Sequence, residues 1–361
     1  MTRQKQYFGS LYIGTPPAEF SFAFDTGTAW TWLNHISCGE KCYNARAFDP
    51  AQSHTFEDSL KTFYGEERNG AFGLETIGLS RDGVSVRRQP LVLFQSALRE
   101  KHLMFDGVVV RVRQGLGFGK RSEGSKTLVE GLKDAGVISQ AVFAFHLADQ
   151  AYSHIPPSAL SLGSWDLGRY SLEKEFTYLY VHDKSGYWDV QLLGMMLNVT
   201  AFKDFSITKA RFDSGSSFLQ LPTKAFQFYR EEVCRVVACQ QDQDWIQFIC
   251  PDSEEMLLPD ITFLLGGYLF TISPLHYIHK QGLLCSDSVR ESSEAFYTLG
   301  QPFLLAYYTL FDMESFRIGL ARSVNYPPLP STTYWDIAVG VLTLFVMWKV
   351  LACCCCRGAR T

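Results

Sequence analysis

Two short segments with the same chemistry stand out, one in each half of the chain. The first is Phe24–Thr28, with the sequence FDTGT, and the second is Phe212–Ser216, with the sequence FDSGS. Each runs from phenylalanine into an acid, a hydroxyl residue, a glycine and a second hydroxyl residue. Their acids, Asp25 and Asp213, are 188 residues apart (213 − 25). Since that spacing is about the length of one domain, we expect each half of the chain to present one carboxylate to a shared cleft.

Two carboxylates held close in a cleft cannot both ionise at low cost, so one keeps a proton while the other is charged. The charged carboxylate can take a proton from water as the water attacks a carbonyl carbon, and the protonated one can hydrogen-bond the carbonyl oxygen. We expect the hydroxyls of Thr28 and Ser216 to hold the carboxylates, and Gly27 and Gly215 to let backbone donors approach them closely. A single copy of this pattern is ordinary turn chemistry. Two copies with matching apolar leads favour a site.

The length and composition fit a protein of about two domains. The chain has 361 residues, 47% of them hydrophobic and 14% aromatic, and its formal net charge is −4. Nothing in this charge balance indicates a nucleic-acid partner. The scattered cysteines lack the CxxC or HxxxH pairing that a zinc site would need, and the acid–base chemistry requires no cofactor, so we expect neither a metal nor a cofactor.

The local patterns place the first acid at the end of a strand. Alternating residues predict antiparallel strands over residues 7–13 and 20–24, joined by a Gly-Thr-Pro-Pro turn. A second strand pair is predicted around residues 62–65 and 70–77, and its polar tip is a candidate lid. Short amphipathic helices are predicted from Ser125 to Ala135 and from Pro222 onward.

The ten cysteines fall into two groups. Six are scattered, an even number that suits three disulfides in an oxidising compartment. Cys38 and Cys42 could close a short local loop, Cys250 and Cys285 a longer one. A bridge between Cys234 and Cys239 requires the second predicted helix to finish between them. The other four form a continuous block near the end of the chain: Cys353, Cys354, Cys355 and Cys356.

Beyond the paired acids, several further segments carry a family resemblance. They include Tyr12–Pro17, Phe48–Pro50, Leu258–Phe263 and Leu299–Gly300. With these segments the sequence resembles the pepsin-type aspartic proteases from about residue 7 to residue 322. The resemblance implies an all-β, bilobal fold with short helices, and a monomer that cleaves polypeptide substrates.

By this resemblance the two halves are the lobes 1–165 and 166–325 of one peptidase domain, with Asp25 and Asp213 as the catalytic pair. It also implies that Tyr64 and Gly65 belong to a flap that covers substrate. Trp32 would hydrogen-bond Tyr64, and Cys250–Cys285 would be the disulfide of the second lobe. The predicted flap tip lacks the family's usual glycine and serine, and in the first lobe we take Leu116–Gly117 as the family's Leu-Gly pair.

The end of the chain has a different composition. Residues 326–336 form a Pro-rich stalk, and residues 337–356 form an apolar stretch broken only by Lys349. Arginines follow in the tail 357–361, which indicates a single transmembrane helix with the peptidase domain outside the cytosol. This arrangement resembles the membrane-anchored branch of the family.

That topology implies a type I protein at the cell surface or in the secretory and endolysosomal membranes. Asn198 begins an N-glycosylation sequon. No signal peptide opens the sequence, so we expect its true N-terminus to lie further upstream. The block at the inner edge of the span supplies four candidates for lipidation: Cys353, Cys354, Cys355 and Cys356.

Two functions remain open at this point. The first is a membrane-tethered aspartic endopeptidase, a hydrolase that cleaves peptide bonds. The alternative is a catalytically silent, aspartic-protease-like receptor or binding protein on a membrane. The paired acids favour the enzyme, and the altered flap tip keeps the alternative open.

Overall fold

The computed structural model describes residues 7–27, 31–42, 46–64, 69–94, 107–109, 127–148, 155–182, 186–202, 204, 206–239, 246–250 and 258–325. Within these ranges, the side chains of residues 40–42, 63–64, 69 and 107–109 are not described. The described part of the chain is mostly β structure with a few short helices.

The strands of the first half, in chain order, are β1 (Phe8–Ile13), β2 (Ala18–Phe24), β3 (Trp32–Asn34), β4 (Glu57–Tyr64), β5 (Asn69–Gly78), β6 (Ser85–Phe94), β7 (Gly107–Val109), β8 (Val142–His146) and β9 (Ala159–Leu162). The strands of the second half are β10 (Thr177–Tyr180), β11 (Asp189–Leu197), β12 (Thr200–Ala201), β13 (Lys209–Phe212), β14 (Leu219–Pro222), β15 (Gln247–Ile249), β16 (Ile261–Leu265), β17 (Tyr268–Ile272), β18 (Ile278–Gln281), β19 (Leu284–Asp287), β20 (Val289–Ser292), β21 (Tyr297–Leu299), β22 (Tyr307–Asp312) and β23 (Arg317–Arg322). The helices are α1 (Leu128–Asp134), α2 (Leu167–Tyr170), α3 (Thr223–Cys234), α4 (Pro274–Tyr277) and α5 (Gln301–Ala306), with 3-10 turns at Ile36–Cys42 and Pro50–Gln52.

Each half of the chain builds one large sheet, and the two sheets share a pattern. The first has the order β1-β2-β7-β3-β6-β5-β4, and the second has the order β17-β16-β11-β13-β21-β14-β20. Within them, β2-β7-β3-β6 and β13-β21-β14-β20 pair in the same sequence of parallel, antiparallel and parallel neighbours. The bilobal, mostly β fold implied by the resemblance is confirmed.

A third sheet joins the two halves. It has the order β10-β23-β22-β8-β9, so its strands come from both sides of the predicted boundary near residue 165. The rings of Phe143 on β8 and Phe311 on β22 stack with their centroids 4.8 Å apart. Both rings are fully buried. This packing joins strands from the two halves of the chain into one sheet.

The predicted local elements hold, with one change of detail. β1 and β2 pair antiparallel as the alternation indicates, and Pro222 immediately precedes α3. The first helix, however, begins at Leu128 and is capped by Thr127, whose hydroxyl accepts from the Glu130 N–H while the Glu130 carboxylate accepts from the Thr127 N–H. This reciprocal capping box is the stronger start signal. The expected cap, Ser125, lies outside the described residues.

Two of the three predicted disulfides are present. Cys234 and Cys239 are bonded with their Cα atoms 5.4 Å apart, and α3 ends at Cys234, as that bridge requires. Cys250 and Cys285 are bonded across the pair β15–β19. Cys38 is also disulfide-bonded. The side chain of Cys42, its predicted partner, is not described.

Along the described ranges, no helix is long and apolar enough to cross a membrane. The predicted stalk, transmembrane helix and tail span residues 326–361, which are outside those ranges. The same holds for the four lipidation candidates, which stay predictions: Cys353, Cys354, Cys355 and Cys356.

Candidate active site

Each acid stands directly after a strand of its own lobe. Asp25 follows β2 and Asp213 follows β13, and each of these strands lies beside a parallel neighbour, β7 or β21. Asp25 is buried and Asp213 is half-buried. Because the two sheets repeat one pattern, the strand ends bring the acids to equivalent places in the two lobes.

The two carboxylates meet across the lobes. The Asp25 carboxyl group hydrogen-bonds that of Asp213. A methyl group added to Gly27 would overlap the Asp213 carboxylate, and one added to Gly215 would overlap the Asp25 carboxylate. Each glycine therefore lies against the acid of the opposite lobe, where any side chain would take the space of a carboxylate.

The pKa of Asp213 is raised well above its ordinary value. Burial is the main cause, followed by the negative charge of Asp25 and the hydrogen bond between the two carboxyl groups. Backbone N–H donors oppose the shift without reversing it. The pair therefore holds a proton at pH values where an isolated aspartate is ionised.

Backbone N–H donors also hold both carboxylates. The Gly27 N–H donates to Asp25 Oδ1 at 2.6 Å. The Gly215 and Ser216 N–H groups donate to Asp213 Oδ1 at 3.0 and 3.2 Å. These bonds orient the carboxylates toward each other and stabilise the ionised form of the pair.

The Ser216 hydroxyl was expected to hold the Asp213 carboxylate, but it has other partners. The Ser216 hydroxyl donates to the Phe218 carbonyl at 2.9 Å and accepts from the Gln220 amide, so Ser216 holds Asp213 through its backbone alone. The physical reason is the turn after Asp213, which carries the backbone N–H, and not the side chain, to the carboxylate. Thr28, the counterpart in the first lobe, lies outside the described residues.

Two residues that were not predicted to have a role, Thr26 and Ser214, hydrogen-bond the two lobes together. We call their four hydrogen bonds the hydroxyl lock. The Thr26 N–H donates to Ser214 Oγ and the Ser214 N–H donates to Thr26 Oγ1, both at 2.9 Å. Each hydroxyl then donates across to the other lobe, Thr26 Oγ1 to the Phe212 carbonyl and Ser214 Oγ to the Phe24 carbonyl. The signal was available, because a hydroxyl residue directly follows each acid.

The predicted flap is described only in part. Tyr64 ends β4, and its backbone pairs with Asn69 at the start of β5, so the hairpin exists as predicted. The Tyr64 side chain and Gly65 are outside the described part of the chain. Trp32 lies on β3, and its ring centroid is 5.5 Å from that of Phe94. Its expected hydrogen bond to Tyr64 stays a prediction.

In the first lobe, the residue that stands in the place of the family's leucine differs from the one expected. In the second lobe Leu299 stands beside Phe212 in the parallel pair β13–β21, with Gly300 next. In the first lobe the equivalent neighbour of Phe24 is Val109. The register thus assigns Val109 to the place that we gave to Leu116, which lies outside the described residues.

Comparisons with known proteins agree with this geometry. A model of the family described as "Eukaryotic aspartyl protease" matches residues 6–323. The chain is similar to gastricsin of Rattus norvegicus, with 29% identity over 331 residues that cover 88% of this chain and 81% of the relative. It is also similar to pepsin A of Bos taurus, with 28% identity over 329 residues that cover 88% of this chain and 84% of the relative.

Proposed function

The chain belongs to the eukaryotic aspartyl protease family, and from this premise we propose that it is an aspartic endopeptidase tethered to a membrane. Its substrates would be extended polypeptides. The single observation that supports catalysis most strongly is the pair of carboxyl groups, hydrogen-bonded to each other across the two lobes.

In the proposed reaction Asp25 and Asp213 share one proton and act on one water. The ionised carboxylate takes a proton from the water as its oxygen attacks the peptide carbonyl carbon. The other carboxyl group of the pair carries the shared proton and hydrogen-bonds the carbonyl oxygen. The C–N bond then breaks as the leaving nitrogen takes a proton from the pair. Water is the nucleophile, so no covalent intermediate forms on the chain.

The lock between the lobes supports this proposal because the reaction needs a fixed distance between the acids. The four hydrogen bonds of Thr26 and Ser214 are 2.7 to 3.0 Å long and are made by the residues that directly follow the two acids. An arrangement that is fixed before substrate binds spares the reorganisation that would otherwise add to the barrier.

The test is cleavage of an unfolded, casein-type protein by the full chain at acidic pH. We expect cleavage, and we expect Asp25→Asn to slow it about 10³-fold. Asp82→Asn is the matched control, because Asp82 is an exposed acid in the same lobe. Cleavage by Asp25→Asn at the rate of the unmodified chain would contradict the proposed reaction. No cleavage by the unmodified chain would favour the alternative, a catalytically silent receptor or binding protein.

The membrane tether rests on the sequence of residues 326–361. Twenty residues with Lys349 as their only charged side chain are enough to cross a bilayer. The proposed orientation puts the peptidase domain in the lumen or outside the cell. In membrane fractions of expressing cells, the full chain should resist extraction at high pH, and a chain ending at Asn325 should be released. Equal release of both chains would reject the tether.

Asn198 is the proposed glycosylation site. It lies in the exposed turn between β11 and β12, where its Oδ1 accepts from the Asp260 N–H. The neighbouring Val199 is 92% exposed, so an enzyme can reach the turn. Asn198→Gln should abolish a mobility shift on glycosidase treatment of chain from the secretory pathway. An unchanged shift would reject the site.

A further inference from the structure

The strand that leads to Asp213 carries two cations on the same face as the catalytic acid. Side chains alternate along a strand, so Lys209, Arg211 and Asp213 share one face and Ala210 and Phe212 the other. The burial follows this alternation, because the first three are half-buried and the last two are fully buried. The face of β13 that reaches the catalytic pair is therefore cationic.

One fully buried acid lies between the two cations. Asp189, on the neighbouring strand β11, stands opposite Arg211. Arg211 holds both of its oxygens, with Nε 2.7 Å from Oδ1 and one terminal nitrogen 3.0 Å from Oδ2. The Lys209 ammonium is 3.3 Å from Oδ2. A bidentate pair of this kind neutralises the charge of Arg211. Lys209 contacts Asp189 Oδ2, the oxygen that already accepts a hydrogen bond from Arg211.

The Lys209 side chain leans toward the catalytic end of the strand. Its backbone stands opposite Gln191, yet its ammonium reaches Asp189, two residues further along toward Asp213. A strand rises about 3.3 Å per residue, so this lean moves the charge about 7 Å closer to the catalytic pair. The ammonium is therefore at the level of Arg211, two residues before Asp213 along the chain.

Aromatic rings frame the two cations. The Tyr187 ring centroid is 3.5 Å from the Arg211 guanidinium, and the Phe296 ring centroid is 4.0 Å from it on another side. Phe296 also lies 5.5 Å from the Lys209 ammonium. The rings cover Arg211, whose side chain is 13% exposed, but leave the Lys209 side chain 32% exposed.

The cluster therefore has one positive charge in excess. Two cations face a single carboxylate, and in the described part of the chain neither cation pairs with a second acid. The excess charge is on Lys209, the more accessible of the two. A partly buried ammonium that shares its carboxylate with a guanidinium attracts a further anion more strongly than a freely hydrated ammonium does.

We propose that Lys209, held in place by Asp189, Arg211 and Phe296, forms a subsite that binds an acidic side chain of the polypeptide substrate beside the cleaved bond. This inference rests on the proposed endopeptidase function and names a preference of that site. The ligand chemistry is a carboxylate on a flexible chain, as in glutamate or aspartate. A neutral amide of the same shape would not gain the ion pair.

The test uses pairs of peptides that differ only by Glu or Gln, placed at each position beside the cleaved bond, and the full chain as enzyme. At one position kcat/KM should favour Glu about fivefold at about pH 5.5, which is the size of a partly exposed ion pair. At about pH 3 the glutamate is protonated, so the preference should vanish. Raising the salt concentration should reduce it as well.

Variants assign the preference to its residue. Lys209→Met should bring the Glu to Gln ratio close to one, and Lys209→Arg should restore it. Lys224→Met is the matched control, because Lys224 is an exposed lysine of the same lobe that pairs with Asp204, and it should keep the ratio.

Equal kcat/KM for Glu and Gln peptides at every position, or a preference that survives Lys209→Met, would overturn the inference while leaving the protease function intact. Failure of the chain to cleave any peptide would reject both.

Discussion

The two halves of the proposed catalytic site have the same centre and different surroundings. In both lobes an acid follows a strand, and a glycine lies against the carboxylate of the opposite lobe. A hydroxyl residue in each lobe also hydrogen-bonds to the other lobe. Two and four residues before the acid, however, the first lobe has Ala23 and Ser21 where the second has Arg211 and Lys209. The reaction needs two equivalent carboxylates, so the centre repeats. Substrate recognition does not require the two lobes to be alike, so the residues that precede the acids can differ between them.

The largest expected effect tests the equivalence of the two acids. We expect Asp25→Asn and Asp213→Asn each to lower kcat/KM about 10³-fold, because either change removes one member of the acid–base pair. The double variant should lose little more than either single one, since the two residues act as a unit. Steady-state kinetics on one peptide give all three values. A tenfold difference between the two single variants would break the symmetry of the centre.

The glycines give the next largest effect. Gly27→Ala and Gly215→Ala each place a methyl group where the opposite carboxylate lies. We expect a loss of about 10² in kcat/KM from each, because displaced carboxylates no longer share a proton. Gly168→Ala is the control, since its added methyl would meet only Asp166, at an ordinary 3.5 Å. Normal activity in either lobe's variant would show that the contact across the lobes is not needed.

The hydroxyl lock should have a smaller effect, seen mainly in stability. Thr26→Val leaves the Ser214 N–H and the Phe212 carbonyl without their partner, and Ser214→Ala does the same to the Thr26 N–H and the Phe24 carbonyl. Unpaired buried polar groups cost about 1–3 kcal/mol.

Each change should therefore lower the free energy of unfolding by that amount, as measured by chemical denaturation. Thr208→Val is the control, because Thr208 is exposed. If only one of the two variants had a lower free energy of unfolding, the hydroxyl lock would stabilise the fold through one lobe only.

The sequence predicts the paired acids because their signal is chemical and repeated. The matching acids and glycines at residues 25–27 and 213–215 stand out without any structure. The strands around them follow from alternation, and the start of α3 follows from Pro222. The family resemblance supplied the bilobal arrangement, which the repeated strand pairing confirms.

What the sequence did not show depends on register and on which atom of a residue acts. Ser216 was expected to act through its hydroxyl and acts through its backbone N–H. The hydroxyl residues Thr26 and Ser214 are visible after the two acids, but the sequence alone does not pair them, because their bonds join positions 188 residues apart. The charge cluster was missed for a similar reason. Asp189 is paired with Lys209 and Arg211 only by the register of β11 against β13.

The pH dependence of kcat/KM tests the central claim, a proton shared by Asp25 and Asp213, most directly. The pKa of Asp213 is raised by burial and by the charge of Asp25. A group that must be protonated works below its pKa and stops working as the pH rises through it. We therefore predict a maximum at acidic pH and a fall toward neutral pH as the shared proton is lost. Tryptophan fluorescence at each pH would confirm that the chain is still folded. Activity that stays flat into the alkaline range, in a folded chain, would contradict the shared proton.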